Sequence, residues 1–377
     1  MAVKKIYFKL FLTFAVFLLA GLLFAGCSGY KEAATGISEK NPDKSNTITV
    51  RDYFGREVEV PARAKRLACL YAFAGHVVAM LGKGENIVAV VEGLKRDILM
   101  TEMLTNIKDA SVPAMGGGAV NLEELIRVSP DVIFIKGDTG KNEGEIEKLE
   151  KSKIPYLVVD CKNIKEQQYI IEMIGQVVGC RDKAKRYNQF YRQCIDRVQK
   201  KVSGIPLKDR IRVYHSVNEA TRTDPKDSLP ADWLQVAGAV DVSVDKDLKL
   251  IEEKYFASLE QILVWDPDVI IVNESGVADY IMKNKQWSSL SAVKNHKVYQ
   301  MPNGMSRWGH PGSLETPMAI LWTAKTLYPE LFSDLDMVKE TKNFYKEFYN
   351  FDLSDETALK ILSGEGMRLS KGEENKK

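Results

Sequence analysis

Short runs of apolar and β-branched residues alternate with longer stretches of helical spacing along most of this chain. Most of the runs are apolar at consecutive positions rather than at every second one, which is typical of strands buried on both faces of a parallel sheet. The runs that predict strands are 67–71, 87–91, 132–136, 156–160, 211–215, 269–273 and 297–301. The alternation predicts an α/β fold in which helices cover both faces of parallel sheets.

A different pattern comes before these runs. Residues 47–60 alternate polar and apolar side chains about Phe54-Gly55-Arg56, and Pro61 follows them. Alternation around a glycine-containing turn predicts a β-hairpin that ends at the proline.

One sequence element occurs twice. The first copy reads NLEELI at 121–126 and SPDVIFI at 129–135, and the second reads SLEQIL at 258–263 and DPDVIIV at 266–272. Each copy predicts a short amphipathic helix, a break at proline and a strand apolar enough to be buried on both faces. Two copies of one element predict two similar lobes.

A long helix is predicted between the two copies. Residues 181–203 contain no proline or glycine, and their apolar residues recur at intervals of three and four. At about 1.5 Å per residue the helix is roughly 35 Å long, which is enough to run from one lobe to the other.

The first residues have the composition of an export signal. Lys4, Lys5 and Lys9 precede an apolar run at 10–24, which is short for a transmembrane span of about 20 residues. The pentapeptide LFAGC, which ends at Cys27, resembles the bacterial lipoprotein box, in which the cysteine is acylated and becomes the new N-terminus. An ordinary signal peptide with an incidental cysteine is the alternative. The polar residues that follow have too few apolar side chains to fold, which predicts a disordered tether.

Charge and cysteine content exclude further classes of protein. The 377 residues carry 53 Lys and Arg against 51 Asp and Glu, and loss of the leader removes lysines only, so the mature chain is close to neutral and unsuited to gripping nucleic-acid phosphates. The other cysteines are irregularly spaced, which predicts neither a zinc site nor a disulfide framework. They are Cys69, Cys161, Cys180 and Cys194, and a Cys180 to Cys194 disulfide stays open.

Sequence motifs of catalysis are missing. The chain has no G-x-S-x-G elbow, no Walker motif and no G-x-G-x-x-G after a strand, and the triple glycine at 116–118 lacks the Lys-Ser or Lys-Thr of a nucleotide loop. Together with two lobes hinged by a helix and an export signal, this favours a protein that closes on a solute over an enzyme.

Candidate ligand-binding residues follow the ends of the predicted strands, because ligands of open α/β sheets bind outside the carboxyl ends of the strands. The candidates are Tyr71, Phe73, His76, His215, Asn218, Arg307, Trp308 and His310. Arginine offers a planar fork of donors for acidic oxygens, tryptophan offers a flat face, and histidine can ligate a metal or donate to an anion.

Three of the four histidines are candidate metal ligands, with ordinary packing as the alternative. They are His76, His215 and His310, and all three are expected on loops of one cleft. Glu315 opens a predicted helix and is expected to cap it.

Taken together, the leader, tether, hairpin, duplicated element and long helix resemble the helical-backbone, or class III, periplasmic substrate-binding proteins. These serve ABC importers of ferric siderophores, haem, corrinoids and some oxyanions, and the resemblance covers roughly residues 47–345. It implies two Rossmann-like lobes with parallel sheets, joined by one long inter-lobe helix, with the ligand cleft between the lobes. In that family the glutamate after the helix-opening leucine of each lobe meets arginines of the permease, which implies this role for Glu123 and Glu260.

The expected organisation has six segments. They are a lipoprotein signal peptide at 1–26, the lipidated cysteine and disordered tether at 27–46, an N-terminal α/β lobe at 47–180, the inter-lobe helix at 181–204, a C-terminal α/β lobe at 205–363 and a disordered tail at 364–377.

The expected function is capture of a solute outside the cytoplasm and delivery to an ABC permease. The protein is expected to be a monomer with no intrinsic cofactor, exported and held by its lipid on the outer face of the cell membrane, or else periplasmic. Its partners are then the transmembrane subunits of the permease, a small-molecule ligand and the membrane, without nucleic acid. The expected ligand is a metal chelate such as a ferric siderophore, and the alternatives are a molybdate or tungstate type of oxyanion, haem or a corrinoid. An exported metal-dependent enzyme or a sensor component is the alternative of another class.

Overall fold

A computed structural model describes residues 46–114, 118–365 and 367–369. The predicted signal peptide, Cys27, the tether as far as residue 45, and Gly116 and Gly117 lie outside the described residues. Within the described ranges no helix combines the length and the apolar content needed to cross a membrane.

The hairpin predicted before the first lobe is present. It consists of β1 (Thr47–Arg51) and β2 (Glu57–Pro61), paired antiparallel. The buried Asp52 closes its turn, since its Oδ1 accepts the backbone N–H groups of Phe54 and Arg56, both at 3.0 Å. Its Oδ2 accepts the Val158 N–H at 3.1 Å, which docks the hairpin on the first lobe.

The N-terminal lobe is built on a five-stranded parallel sheet in the order β5-β4-β3-β6-β7. Its strands are β3 (Leu67–Cys69), β4 (Ile87–Val91), β5 (Ser111–Ala114), β6 (Val132–Lys136) and β7 (Tyr156–Val159). Its helices are α1 (Ala72–Met80), α2 (Glu92–Lys95), α3 (Ile98–Met103), α4 (Asn106–Asp109), α5 (Leu122–Val128), α6 (Gly137–Lys141), α7 (Glu143–Ser152) and α8 (Ile164–Val177).

The C-terminal lobe has a four-stranded parallel sheet in the order β10-β8-β13-β14, and a three-stranded antiparallel sheet in the order β11-β12-β9. The strands are β8 (Arg212–Ser216), β9 (Arg222–Thr223), β10 (Val240–Asp241), β11 (Lys249–Ile251), β12 (Lys254–Phe256), β13 (Val269–Val272) and β14 (Val298–Gln300). The helices are α10 (Leu229–Val236), α11 (Leu259–Trp265), α12 (Val277–Lys283), α13 (Ser291–Lys294), α14 (Thr316–Leu327), α15 (Met337–Tyr349) and α16 (Asp355–Ser363).

The predicted α/β class with parallel sheets is confirmed, but the pattern missed β5, β10 and the small antiparallel sheet. β5 contains Pro113, and β9 and β10 have two residues each, so these strands are too short for a periodic signal.

The duplicated sequence element has the same structure in both lobes. Its helices, α5 and α11, have seven residues each and end at residues with left-handed backbone, Ser129 and Asp266. An arginine at the edge of the neighbouring strand caps each helix: Arg66 Nε donates to the Ser129 carbonyl at 3.0 Å, and Arg212 Nη1 donates to the Asp266 carbonyl at 2.9 Å. These donors satisfy carbonyls that have no partner within the helix. The two lobes are therefore similar, as the repeat predicts.

The helix α9 (Arg181–Val202) joins the lobes. Its buried face packs against α8 of the N-terminal lobe and α14 of the C-terminal lobe. Tyr191 Oη donates to Gln167 Oε1 at 2.9 Å on the first side, and Tyr187 Oη donates to the Leu314 carbonyl on the second. The one long inter-lobe helix that the spacing predicts is thus present.

The structure also decides the state of the cysteines and of part of the tail. Cys69, Cys161, Cys180 and Cys194 are free thiols, so no Cys180 to Cys194 disulfide is formed. Residues 367–369 were expected to be disordered with the tail, but the Ile98 N–H donates to the Met367 carbonyl at 3.2 Å, and the Leu369 N–H donates to the Arg96 carbonyl at 2.9 Å. This part of the tail is therefore held against the N-terminal lobe.

The close contact of α8 with α9 generates a test of the joint between the lobes. A Cβ built on Gly175 would lie 2.7 Å from the Cβ of Ala184, so Gly175→Ala should force the helices apart and lower the free energy of unfolding by about 1–3 kcal/mol. Gly204→Ala is the matched control, because its Cβ would meet nothing within 4 Å, and its effect should stay within about 0.5 kcal/mol. Urea unfolding of the two variants checks this, and equal midpoints would contradict the close packing.

Candidate functional site

A cleft lies between the lobes at the carboxyl ends of the parallel strands. Its larger part, here called the outer cleft, has a volume of about 670 Å³. The residues that line it are Leu70, Tyr71, Ala72, Val91, Ala114, Gly118, Lys136, Asp138, Thr139, Arg222, Glu252, Glu253 and Lys254. Most of them follow β3, β4, β5 and β6, while the last four come from β9 and the turn between β11 and β12.

A smaller pocket of about 70 Å³ adjoins the outer cleft and is here called the inner pocket. It is lined by Tyr71, Ala72, His76, Asp97, Ser306, Arg307, His310, Gly312, Ser313 and Arg368. Three parts of the chain meet here: the segment 71–97 of the N-terminal lobe, the loop 306–313 of the C-terminal lobe, and the tail. Tyr71 and Ala72 belong to both cavities, so the inner pocket opens where the outer cleft begins.

Four of the candidate residues from the sequence come together in the inner pocket. They are Tyr71, His76, Arg307 and His310. Asn218 lies next to this group, since its Oδ1 accepts a hydrogen bond from Arg307 Nη1. The same Arg307 nitrogen forms an ion pair with Glu274, so the guanidinium is held in place by two oxygens.

Three candidates lie in the core instead of on the cleft, which corrects the sequence prediction. Phe73 and Trp308 are fully buried in the largest hydrophobic cluster. His215 lies within β8, where its ring packs edge-on against Trp233, with centroids 5.4 Å apart, and its Nδ1 is 3.1 Å from Asp224 Oδ2. The elements begin and end at other residues than predicted: α1 already starts at Ala72, so Phe73 is helical, and β8 continues to Ser216, so His215 is not on a loop.

A buried carboxylate shapes the loop that carries Arg307 and His310. Glu315 Oε2 accepts the Ser306 N–H at 2.6 Å and its hydroxyl at 2.9 Å, while Glu315 Oε1 accepts the Tyr345 hydroxyl at 2.5 Å. Burial raises the pKa of Glu315, and these donors oppose that effect. The side chain makes no helix cap, contrary to the sequence prediction, and instead fixes the loop backbone.

His310 is a neutral hydrogen-bond donor. Its Nδ1 accepts the Gly312 N–H at 3.1 Å, which leaves the ring proton on Nε2. Burial and the nearby Arg307 and Arg222 guanidinium groups hold the pKa of His310 well below its ordinary value. The imidazole therefore stays uncharged at neutral pH and can donate one hydrogen bond to a solute.

Two residues of the inner pocket, Asp97 and Arg368, were missed by the sequence reasoning. Asp97 is buried, with one oxygen 3.1 Å from His76 Nε2 and the other in an ion pair with Arg368. Asp97 lies between α2 and α3 in a stretch without any motif, and Arg368 lies in the segment expected to be disordered. Neither position carries a local signal, because the contact joins residues that are far apart in the sequence.

The three candidate metal ligands do not form one ligand set, because His76 and His310 line the inner pocket whereas His215 lies in the core. His76 faces Asp97, His215 faces Asp224, and His310 bonds to Gly312. Within the described residues no group of three or more His, Cys, Asp or Glu side chains is placed to hold a metal ion. The inner pocket instead gathers guanidinium, imidazole and hydroxyl donors, which suit the oxygens of an anion.

Comparison with known proteins places the chain in a family. A family model described as periplasmic binding protein matches residues 67–304. This chain belongs to the periplasmic binding protein family. The resemblance seen in the sequence is thereby confirmed.

Relatives of this periplasmic binding protein differ in what they bind. The molybdate-binding protein MolA of Haemophilus influenzae is 23% identical over 343 residues, which cover 82% of this chain and 93% of MolA. The structure of MolA bound to molybdate matches with a TM-score of 0.72 at 22% identity and covers 81% of this chain and 99% of that one. The uncharacterized ABC transporter substrate-binding lipoprotein YvrC of Bacillus subtilis is 24% identical over 85% of this chain and 98% of its own length. The iron(3+)-hydroxamate-binding protein YxeB of Bacillus subtilis is 22% identical over 74% of this chain and 84% of its own length.

The buried imidazole of His76 makes folding depend on pH. Burial lowers the pKa of His76 from 6.5 to about 4, so between these values the unfolded chain binds a proton that the native protein does not. The free energy of unfolding should therefore fall as the pH is lowered from about 6.5 to about 4. His76→Gln removes this titrating group. Between pH 7 and pH 4 the free energy of unfolding of the wild type should therefore fall by roughly 3 kcal/mol more than that of the variant.

Urea unfolding of the wild type and His76→Gln at each pH measures the effect. Other titrating groups are common to both proteins and cancel in the difference. Parallel curves for the two proteins would contradict a buried neutral His76.

Proposed function

We propose that this periplasmic binding protein captures a compact oxyanion of the molybdate type in the inner pocket and delivers it to the permease of an ABC importer. The observation that carries the proposal is the donor set of that pocket. Arg307, His310 and Arg368 converge with Tyr71 on one small space.

The volume of the inner pocket favours a small solute. A cavity needs about 10–15 Å³ to hold one water molecule, so a cavity of about 70 Å³ has room for a compact solute of several heavy atoms. A tetrahedral oxyanion is such a solute, whereas a whole chelate or a tetrapyrrole is not.

The charges around the inner pocket are paired before any solute arrives. Arg307 is paired with Glu274, and Arg368 is paired with Asp97. Each guanidinium is therefore oriented in advance, which reduces the entropy that binding must overcome. The oxygens of a bound anion would then accept hydrogen bonds from guanidinium groups that are already held in fixed directions.

The second candidate function is uptake of a metal chelate, and the outer cleft favours it. About 670 Å³ lies within the usual range of roughly 300–1,000 Å³ for sites of small organic ligands. Such a ligand would lie on Tyr71 and the basic residues Lys136 and Arg222, with an acidic group in the inner pocket. The relative YxeB, whose name states iron(3+)-hydroxamate binding, lends support to this reading.

Export and anchoring belong to the same proposal. The acylation of Cys27 stays a prediction of the sequence, because Cys27 lies outside the described residues. The lipoprotein YvrC supports the anchored form, and the absence of catalytic motifs supports a binding role over an exported enzyme.

Ligand binding is tested by thermal unfolding with molybdate, tungstate, a ferric hydroxamate, haem and cobalamin. An oxyanion at about 100 times its dissociation constant should add roughly 2.7 kcal/mol to the stability of the folded protein. Arg307→Ala should weaken oxyanion binding by about 10- to 100-fold, because a charge-assisted hydrogen bond is lost. Arg192→Ala on the exposed face of α9 is the control with the same charge change and should bind normally.

The panel separates the two candidate functions. If only the ferric hydroxamate stabilises the protein, the ligand is a metal chelate and not an oxyanion. If no compound raises the unfolding temperature, neither oxyanion uptake nor chelate uptake is supported.

Docking to the permease is proposed for Glu123 and Glu260. Both side chains are exposed in the first turns of α5 and α11, the two copies of the duplicated element, so each lobe presents one carboxylate in the same setting. Two such carboxylates would set the orientation of the protein on arginines of a partner.

Charge reversal tests the docking surface. The double variant Glu123→Lys and Glu260→Lys should abolish solute-dependent ATP hydrolysis by the reconstituted importer while ligand affinity stays within about twofold, because neither carboxylate lines the outer cleft or the inner pocket. Glu150→Lys with Glu330→Lys, two exposed positions outside the repeat, is the control with the same change in charge. Loss of activity in both double variants would point to net charge rather than to specific docking.

A further inference from the structure

The last described residues cross from one lobe to the other. The Asn303 N–H donates to the Ile361 carbonyl at 2.9 Å, so the end of α16 is held on the C-terminal lobe. Met367 and Leu369 then pair with the backbone between α2 and α3 of the N-terminal lobe. Residues 367–369 are here called the strap.

The strap is built into the N-terminal lobe by more than its backbone. Met367 is buried, with an exposed fraction of 4%. Arg96 Nε donates to the Leu369 carbonyl at 2.8 Å, which adds a side-chain bond to the backbone bonds at Arg96 and Ile98. These contacts hold the residue between Met367 and Leu369 in one orientation.

That residue is Arg368, and its side chain enters the inner pocket. Its guanidinium is largely buried and is paired with Asp97, whose second oxygen lies 3.1 Å from His76 Nε2. Arg368 lines the same cavity as Arg307 and His310. The strap thus places a guanidinium of the tail opposite the loop of the C-terminal lobe.

We propose that Arg368 is a ligand-contacting residue, supplied by the strap, which completes the anion site from the side of the N-terminal lobe. The inference rests on the proposed function, since it assigns a further contact to the same solute. It places one determinant of affinity in the tail at 364–377, which the sequence predicts to be disordered. Arginine suits this position because its planar fork can hold a carboxylate and an oxyanion at once, which a lysine ammonium does less well.

Binding of molybdate to the full mature chain, measured by calorimetry, tests the inference. Arg368→Ala should weaken binding by about 10- to 100-fold, and Arg368→Lys by less, because the charge is kept and the fork is lost. Arg192→Ala should bind as the wild type does. If the wild type binds molybdate and Arg368→Ala binds it with the same affinity, the role of Arg368 is overturned and the proposed function stands.

A second variant separates contact with the solute from a structural role. Arg368→Ala leaves the buried Asp97 carboxylate without its ion pair, which could disturb the pocket by itself. Arg368→Gln combined with Asp97→Asn removes both charges together, and its affinity should stay as low as that of Arg368→Ala. Recovery of wild-type affinity in the double variant would show that only the charge of Asp97 mattered, and it would overturn the inference. A wild type that binds no oxyanion would instead overturn the proposed function and the inference with it.

Discussion

A relay of buried hydrogen bonds from the inter-lobe helix sets where the two lobes meet. Tyr191 on α9 donates to Gln167 on α8, and Gln167 Nε2 donates to the Ser313 carbonyl at 2.8 Å. Tyr187, one turn earlier on α9, donates to the next carbonyl, that of Leu314. Buried carbonyls need partners, so the end of the ligand loop can lie in only one place relative to α8 and α9. The relay holds the loop of one lobe on α8 and α9, and because α8 packs against α1, the inner pocket lies between this loop and α1.

The polar groups of the inner pocket are stabilised by a second layer of buried partners. Glu315 and Tyr345 hold the backbone of the loop, Glu274 and Asn218 hold Arg307, and Asp97 links His76 to Arg368. A buried charge without such a partner would cost several kcal/mol, so each of these pairs is a condition for having the donor there at all. The resulting site is oriented before the solute binds, and the neutral His310 adds a donor without adding a further charge.

The two lobes are alike in the duplicated element but differ in the residues that line the cleft. The duplicated helices, their arginine caps and their exposed glutamates are alike in both lobes. The cleft is not symmetric. The N-terminal lobe contributes Tyr71 and His76 from the start of α1, whereas the C-terminal lobe contributes Arg307 and His310 from a long loop after β14. The duplicated element is therefore the same in both lobes, whereas each lobe lines the cleft with residues of a different kind of element.

Features that depend on local periodicity were readable from the amino-acid sequence. The hairpin, most of the parallel strands, the long helix and the duplicated element follow from the order of apolar and polar residues, since each element buries one face or both faces along its own length. The rule that ligands bind at the carboxyl ends of strands was enough to predict that Tyr71, His76, Arg307 and His310 face one cleft, and all four line the inner pocket. It failed for Phe73 and His215, because a shift of one or two residues at the end of a strand decides whether a side chain faces the cleft or the core. Asp97 and Arg368 meet only in the folded chain, since an ion pair between residues so far apart in sequence leaves no local pattern and depends on the packing of the tail against the other lobe.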